Sequence, residues 1–305
     1  MKKSVLLHFG IYPLIILSQV FWGLSYIWTT IAFNYYHPVT IIFIRLVLSS
    51  LFMIIFMVIA RKAERIKRKD WWLFLICATL NPFLYFLAEN FGLINSTPTI
   101  SAVIISTIPL FVSFVGHFIL KEKLSWLNIA GIFISFTGIA IMLVNPDFSL
   151  NSPLKGVILL ICAVLVSVLY TIFLKRLAHK YSALTITAYQ NILGALYFLP
   201  LFLVFDFRHF LTVTPDAKLI TSLLQLSLFA STLAFIFYTM SVKEIGVSRT
   251  SIFSNLMPVF TAIFSAIFIS ENFTATKIAG MAIVIAGVMI SQLRGLGRGE
   301  KSRDH

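Results

Sequence analysis

Charge is scarce in this sequence: Asp, Glu, Lys and Arg make up 11% of its 305 residues, and only 11 residues are acidic. A soluble domain carries about a quarter charged residues, and a helical bundle in water needs polar faces that these runs do not offer. A soluble all-helical protein is therefore excluded. Cysteine is almost missing, and Cys77 and Cys162 both lie inside apolar runs. They read as small buried hydrophobes, not as a disulfide or metal pair. There is no HExxH, no CxxC, no paired-carboxylate constellation and no Gly-rich phosphate loop. No catalytic residue, metal or cofactor is expected, and no nucleotide-binding domain is present to drive a pump. The 24 basic residues give a net charge of +13, which in a soluble protein would suggest nucleic acid. Here they sit in short segments between apolar runs, with no continuous basic face, so nucleic acid is excluded as a partner.

What the chain has instead is apolar length. Its hydrophobic fraction is 59%, with 30 Phe and 5 Trp, and its mean hydropathy is +0.95. A bilayer is crossed by about 20 apolar residues in a helix. Breaks in the apolar pattern predict ten spans, over 11–33, 38–60, 71–94, 98–120, 126–145, 153–174, 183–205, 217–241, 247–269 and 275–293. Met1, Lys2 and Lys3 lead into the first run, which is long enough to span and reads as a retained helix. Basic residues gather on the cytoplasmic side of membrane proteins. With both termini in the cytoplasm, nineteen basic residues fall inside and only Lys155, Arg208, Lys218 and Lys277 outside, with Arg45 left within a span. The expected location is the inner or plasma membrane, multi-pass, with the lipid bilayer as partner.

The chain also repeats itself. Residues 101–141 slide onto 250–290 at an offset of 149 with nine identities, among them Pro109/Pro258, Glu122/Glu271, Gly131/Gly280 and Gly138/Gly287. More faintly, Trp22 to Tyr26 lie over Val166 to Tyr170. Each unit holds five spans, an odd number, so the second copy enters the membrane inverted. The predicted fold class is an all-α integral membrane protein of ten transmembrane helices in two inverted five-helix repeats. The expected bounds are 1–148 and 149–294, with 295–305 as a cytoplasmic tail. Inverted repeats place a site at their interface and allow two mirror-image gates, which is a transporter's requirement.

Certain residues carry a family resemblance. They are Phe21, Trp22 and Gly23, then Arg45, then Asn255 and Pro258 running to Glu271, Ala279, Gly280, Ala286 and Gly287. Pro109, Glu122, Ala130, Gly131 and Gly138 form the first copy of that second pattern. Over residues 11–294 the chain resembles the EamA family of the drug/metabolite transporter superfamily. The resemblance implies transport, with export the expected direction, of small metabolites such as amino acids or related compounds. It also implies a possible homodimer through glycine-bearing helices. The paired Lys-Arg that phosphate-binding relatives carry in their penultimate spans is missing here. The alternatives are a flippase of a lipid-linked intermediate with the same fold, and a membrane-embedded enzyme or sensor.

Candidate site residues follow from depth and chemistry. Arg45 and Glu89 are ionisable residues well inside spans, at matching depths on neighbouring antiparallel helices. A charge there costs roughly 2.5–3.5 kcal/mol on insertion scales and faces a partner or water. The pair reads as an intramembrane ion pair orienting two helices; the alternative is that Glu89 exchanges a proton or meets a substrate amine. Pro109 and Pro258 fall mid-span and open the helix backbone, as cavity walls, gates or plain kinks. Ser106, Ser254 and Asn255 precede them by about a turn and offer hydrogen bonds. Tyr238 takes the place of Glu89 under the offset of 149, and Trp22, Tyr26 and Tyr170 are a candidate aromatic lining. His117, one turn before Lys121, reads as interfacial. Gly131, Gly138, Gly280 and Gly287 read as close helix contacts.

Overall fold

The computed structural model describes residues 2–59, 64–112, 126–143, 152–245, 250 and 253–298. His117 and Glu122 lie outside them, as does the expected end of the fourth span. Among the described residues every regular element is helical. Seven helices are long and apolar enough to cross a membrane: α1 (Gly10–Ala32), α2 (Pro38–Ile59), α3 (Arg68–Leu93), α5 (Trp126–Leu143), α6 (Leu154–Ala178), α7 (Ala183–Thr212) and α8 (Ala217–Val242). Three shorter apolar helices, α4 (Pro98–Val112), α9 (Leu256–Phe268) and α10 (Ala275–Ser291), complete the ten. The first helix itself begins at Lys2.

Helices are the outcome because lipid offers backbone groups no partner, so each span must satisfy its own. Their starts are marked by local chemistry. Thr97 accepts from the Ile100 N–H at 3.3 Å with Pro98 next in line, Ser182 accepts from Thr185 at 3.2 Å, and Asp216 accepts from Leu219 at 2.8 Å. These are N-caps, each relieving an orphan donor. Large apolar side chains such as Ile59, Phe133, Val204 and Phe205 point outward. In water they would be a liability; facing lipid tails they need no cover.

The packing is built across the repeats. α1 packs on α8 and α9, and the equivalent helix α6 packs on α3 and α4. α2 meets α8 as α7 meets α3, and two self-equivalent pairs, α2 with α7 and α5 with α10, complete the pattern. In the α5–α10 pair a Cβ on Gly131 would lie 2.5 Å from the Gly287 carbonyl oxygen, and one on Gly138 would lie 2.8 Å from that of Gly280. Rungs running 131 to 287 and 138 to 280 mean that the helices cross antiparallel at backbone contact. The glycine faces that suggested a dimer therefore meet each other within one chain.

Both halves also break their helices at matching places. α3 widens into a π-helical stretch at Thr79–Leu84, and α8 does so at Leu226–Leu233. Shifting the first by 149 lays it inside the second. In α3 the interruption centres on extended Asn81 before Pro82. In α8 no proline is present, and neighbours hold the carbonyls that the widened turn releases. Trp22 Nε1 donates to the Ala230 carbonyl at 3.3 Å, Asn191 Nδ2 to that of Ser231 at 3.3 Å, and Thr232 Oγ1 reaches back to Ser227 at 2.9 Å. A second matched break is a turn at residues 106–107 in α4 and at 254–255 before α9. Interrupted helices at equivalent places in two inverted halves mark where a transporter holds its cargo.

Candidate functional site

Glu89 stands on α3, five residues beyond the π-helical stretch, and faces α1. Its Oε1 accepts from the Tyr26 hydroxyl at 2.9 Å and from the Tyr85 hydroxyl at 2.8 Å. Tyr85 lies one turn before Glu89 on the same helix, while Tyr26 reaches across from α1. A carboxylate at this depth is tolerable because both bonds are charge-assisted and therefore strong.

Arg45 comes to the same place from α2. Its Nε donates to the Ser231 hydroxyl at 2.8 Å, and its guanidinium carbon lies 4.3 Å over the Phe86 ring. That geometry is a cation–π contact in a desolvated setting. The Ser231 hydroxyl sits in the π-helical stretch of α8, so the second repeat holds a cation of the first. Ser49 extends the cluster, bonding Thr232 at 2.9 Å and accepting from Asn191 at 2.7 Å.

Arg45 and Glu89 line one cavity together with Ser25, Tyr26, Thr29, Asn90 and Leu93. Among the described residues no salt bridge joins the two; each charge has its own neutral partners. The cavity's volume is about 10 Å³, room for one water molecule. Asn90 is buried at 1% exposure, and its Oδ1 makes no hydrogen bond. The site thus offers a cation, an anion and a free acceptor in one small polar chamber lined by α1, α2 and α3 of the first repeat, with Ser231 of the second repeat holding its arginine.

A mirror cluster occupies the equivalent place in the second repeat, without the charges. Shifting α2 onto α7 by 145 lays Thr40 on Thr185, Ile41 on Ile186 and Arg45 on Gln190. The Tyr170 hydroxyl, at the position of Tyr26, donates to Gln190 Oε1 at 3.1 Å, and Gln190 Nε2 is left unbonded. Tyr238 replaces Glu89. Tyrosine is kept on both sides; Arg45 becomes Gln190 and Glu89 becomes Tyr238. The two-fold relation of the fold breaks at its two membrane-depth charges.

The other predicted residues lie outside the lining of that cavity. Trp22 packs edge-on to Phe235 at 5.2 Å between ring centres and tilted on Tyr238 at 5.1 Å, and Tyr238 is hydrogen-bonded to Ser254. Neighbouring Asn255 is 4% exposed with neither amide atom bonded. Pro258 stands where α9 touches α1, next to a Met257 carbonyl that a Cβ on Gly23 would approach to 3.3 Å. Ser106, buried, returns its hydroxyl to the Val103 carbonyl at 2.7 Å, ahead of Pro109 on α4. Tyr85, Asn90, Asn191, Gln190 and Ser231 were not singled out from sequence. Tyr85 and Asn90 were within reach of that reading, standing beside Glu89 in helical spacing. Ser231 carried no signal, since its role depends on an arginine 186 residues away in sequence.

Comparison with known proteins places this geometry in a family. A protein of known crystal structure shares the fold with a TM-score of 0.68 at 13% identity, over 93% of this chain and 98% of that one. Among relatives, the uncharacterized transporter YetK of Bacillus subtilis is 27% identical over 252 residues, covering 82% of this chain and 76% of its own. An uncharacterized transporter of Archaeoglobus fulgidus is 26% identical over 274 residues, covering 90% and 95%. A probable terminal-alkyne amino-acid exporter of Streptantibioticus cattleyicolor is 24% identical over 237 residues, covering 77% of each chain. The family model of EamA-like transporters matches residues 10–144 and 154–293, one copy in each half. This ten-helix membrane protein belongs to the EamA-like transporter family.

Proposed function

We propose that the chain exports a small zwitterionic metabolite, an amino acid or a related compound, by alternating access between two inverted units bounded near residues 1–148 and 149–294. The observation that carries this reading is the chamber in which Arg45 and Glu89 stand without bridging each other. A guanidinium suits a carboxylate, a carboxylate suits an ammonium group, and Tyr26, Tyr85 and Asn90 supply neutral hydrogen-bonding groups around them. One cation beside one anion does not suit a phosphorylated cargo, whose charges are all negative. The mirror cluster has lost both charges while keeping its tyrosine, as expected if packing maintains one set and cargo the other. The exporter of Streptantibioticus cattleyicolor, named for an amino acid, adds support for the cargo class. The gathering of Arg65, Lys67, Arg68, Lys69, Lys175, Arg176 and Lys180 at one end of the bundle supports a cytoplasmic side for that end and a plasma-membrane location.

The test is counterflow in liposomes with purified protein against a panel of amino acids and a nucleotide sugar. Saturable exchange of zwitterionic amino acids is expected. Saturable exchange of the nucleotide sugar, with no response to any amino acid, would overturn the reading.

A further inference from the structure

Two tyrosine–aspartate contacts, one at each end of the bundle, are copies of each other. At the basic end the turn before α7 reaches the start of α3: the Tyr181 hydroxyl donates to Asp70 Oδ2 at 2.8 Å, and Lys180 Nζ lies 2.6 Å from Asp70 Oδ1. At the opposite end the turn before α2 reaches the start of α8, where the Tyr35 hydroxyl donates to Asp216 Oδ2 at 2.6 Å. Helices α2 and α7 are equivalent in the two repeats, and so are α3 and α8. Each aspartate stands in the cap position of the helical segment that follows it, Asp70 before Trp71 and Asp216 before Ala217. Tyr35 and Tyr181 are 146 positions apart, and so are Asp70 and Asp216.

Each contact joins one repeat to the other, with the roles exchanged. Tyr181 of the second repeat holds Asp70 of the first; Tyr35 of the first holds Asp216 of the second. A further rung follows the same plan. Glu64 accepts from the Ser182 N–H at 2.9 Å just before α7, and Asp206 accepts from the Thr40 N–H at 3.1 Å in the first turn of α2. In both cases an acid from the opposite repeat satisfies an unpaired helix-start donor, where negative charge is favoured.

We propose that Tyr181–Asp70 and Tyr35–Asp216 are the two gate latches of the transport cycle, positioning residues that hold the repeats together at one end while the other end opens. The proposal rests on the alternating-access reading but on no particular cargo. Opening the basic end parts the α6–α7 turn from the start of α3 and so breaks the first latch. Opening the opposite end parts the α1–α2 turn from the start of α8 and breaks the second. Both are closed in this structure. Their chemistry differs in one respect. Asp70 is buried and also paired to Lys180, whereas Asp216 is exposed and has the tyrosine and its own helix start.

The test is distance measurement between spin labels, which needs no substrate, so failure of the cargo assignment leaves it intact. In a chain carrying Cys77→Ala and Cys162→Ala, one label pair sits at Arg68→Cys and His179→Cys, and another at Asn34→Cys and Thr214→Cys. Tyr181→Phe combined with Asp70→Asn should add a longer component to the first pair alone. Tyr35→Phe combined with Asp216→Asn should do so in the second pair alone. Should a double variant fail to fold, Tyr181→Phe and Tyr35→Phe alone serve, since each removes one hydroxyl and keeps the ring, which for Tyr181 packs on Phe74 at 5.3 Å. Distances unchanged in both variants, or both ends loosening together in either, would overturn the proposal.

Discussion

The Ser135 hydroxyl donates to the Val284 carbonyl at 3.2 Å, and these two residues, 149 apart, hold the same position in the two repeats. A residue that touches its own counterpart lies beside the axis relating the copies. The glycine rungs to either side, Gly131 on Gly287 and Gly138 on Gly280, exchange partners under the same offset. The axis therefore passes through the α5–α10 crossing.

That crossing tolerates no added side chain. A Cβ at Gly131 would also come within 2.6 Å of Ser291 Cβ, and backbone cannot give way as a flexible side chain can. Gly131→Leu should destabilise the protein by about 1–3 kcal/mol, the usual cost of overpacking. A lowered thermal unfolding midpoint in detergent is the expected result. An unchanged midpoint would mean that the helices separate at little cost.

Inversion of the repeats has its own test. The α2–α3 loop and the α7–α8 loop occupy equivalent places in the two copies, yet belong to opposite faces. Topology reporters fused after Arg65 and after Thr214 should report opposite sides, with Arg65 in the cytoplasm. The same side for both would contradict the inverted arrangement.

The Tyr35–Asp216 latch should resist acid. The Tyr35 hydroxyl, and after it the Leu219 N–H, hold the Asp216 carboxyl below its ordinary range. A group with a depressed folded pKa contributes its stabilisation above the unfolded value and loses it only as pH falls through the folded one. Free aspartate titrates near 4, so protection at this contact should persist from neutral pH down to that region and fail below it. Amide exchange at Leu219, corrected for its intrinsic pH dependence, measures this. Loss of protection between pH 7 and 5 would be the contrary result.

Much of this architecture was legible in the sequence, and the reason is physical. Spans show as apolar length, and their starts show as caps and prolines; the predicted starts at 38, 98, 183, 217 and 275 match helix starts in the structure. Pro109 and Pro258 revealed matched breaks because proline has no N–H to donate. The break in α8 was hidden, since Leu226–Leu233 contains neither proline nor glycine. Its released carbonyls are held by Trp22 and Asn191, which are distant in sequence. The Tyr35–Asp216 and Tyr181–Asp70 contacts were overlooked although their common spacing was there to find. Ranking charges by membrane depth leaves out those at the helix ends. Arg45 and Glu89 were legible as candidates, for an ion pair or for a cavity-facing carboxylate; they line one cavity, and their hydrogen bonds go to Ser231 and to Tyr26 and Tyr85.

Glu89→Gln tests the central claim most directly. Glutamine keeps an oxygen to accept from Tyr26 and Tyr85, so the variant should reach wild-type abundance and fold, but it presents no charge to a substrate ammonium. Losing a hydrogen bond to a charged group costs about 1.5–3 kcal/mol, so counterflow of a zwitterionic amino acid in liposomes should fall by roughly tenfold or more. Counterflow by folded Glu89→Gln protein at the wild-type rate would contradict the account.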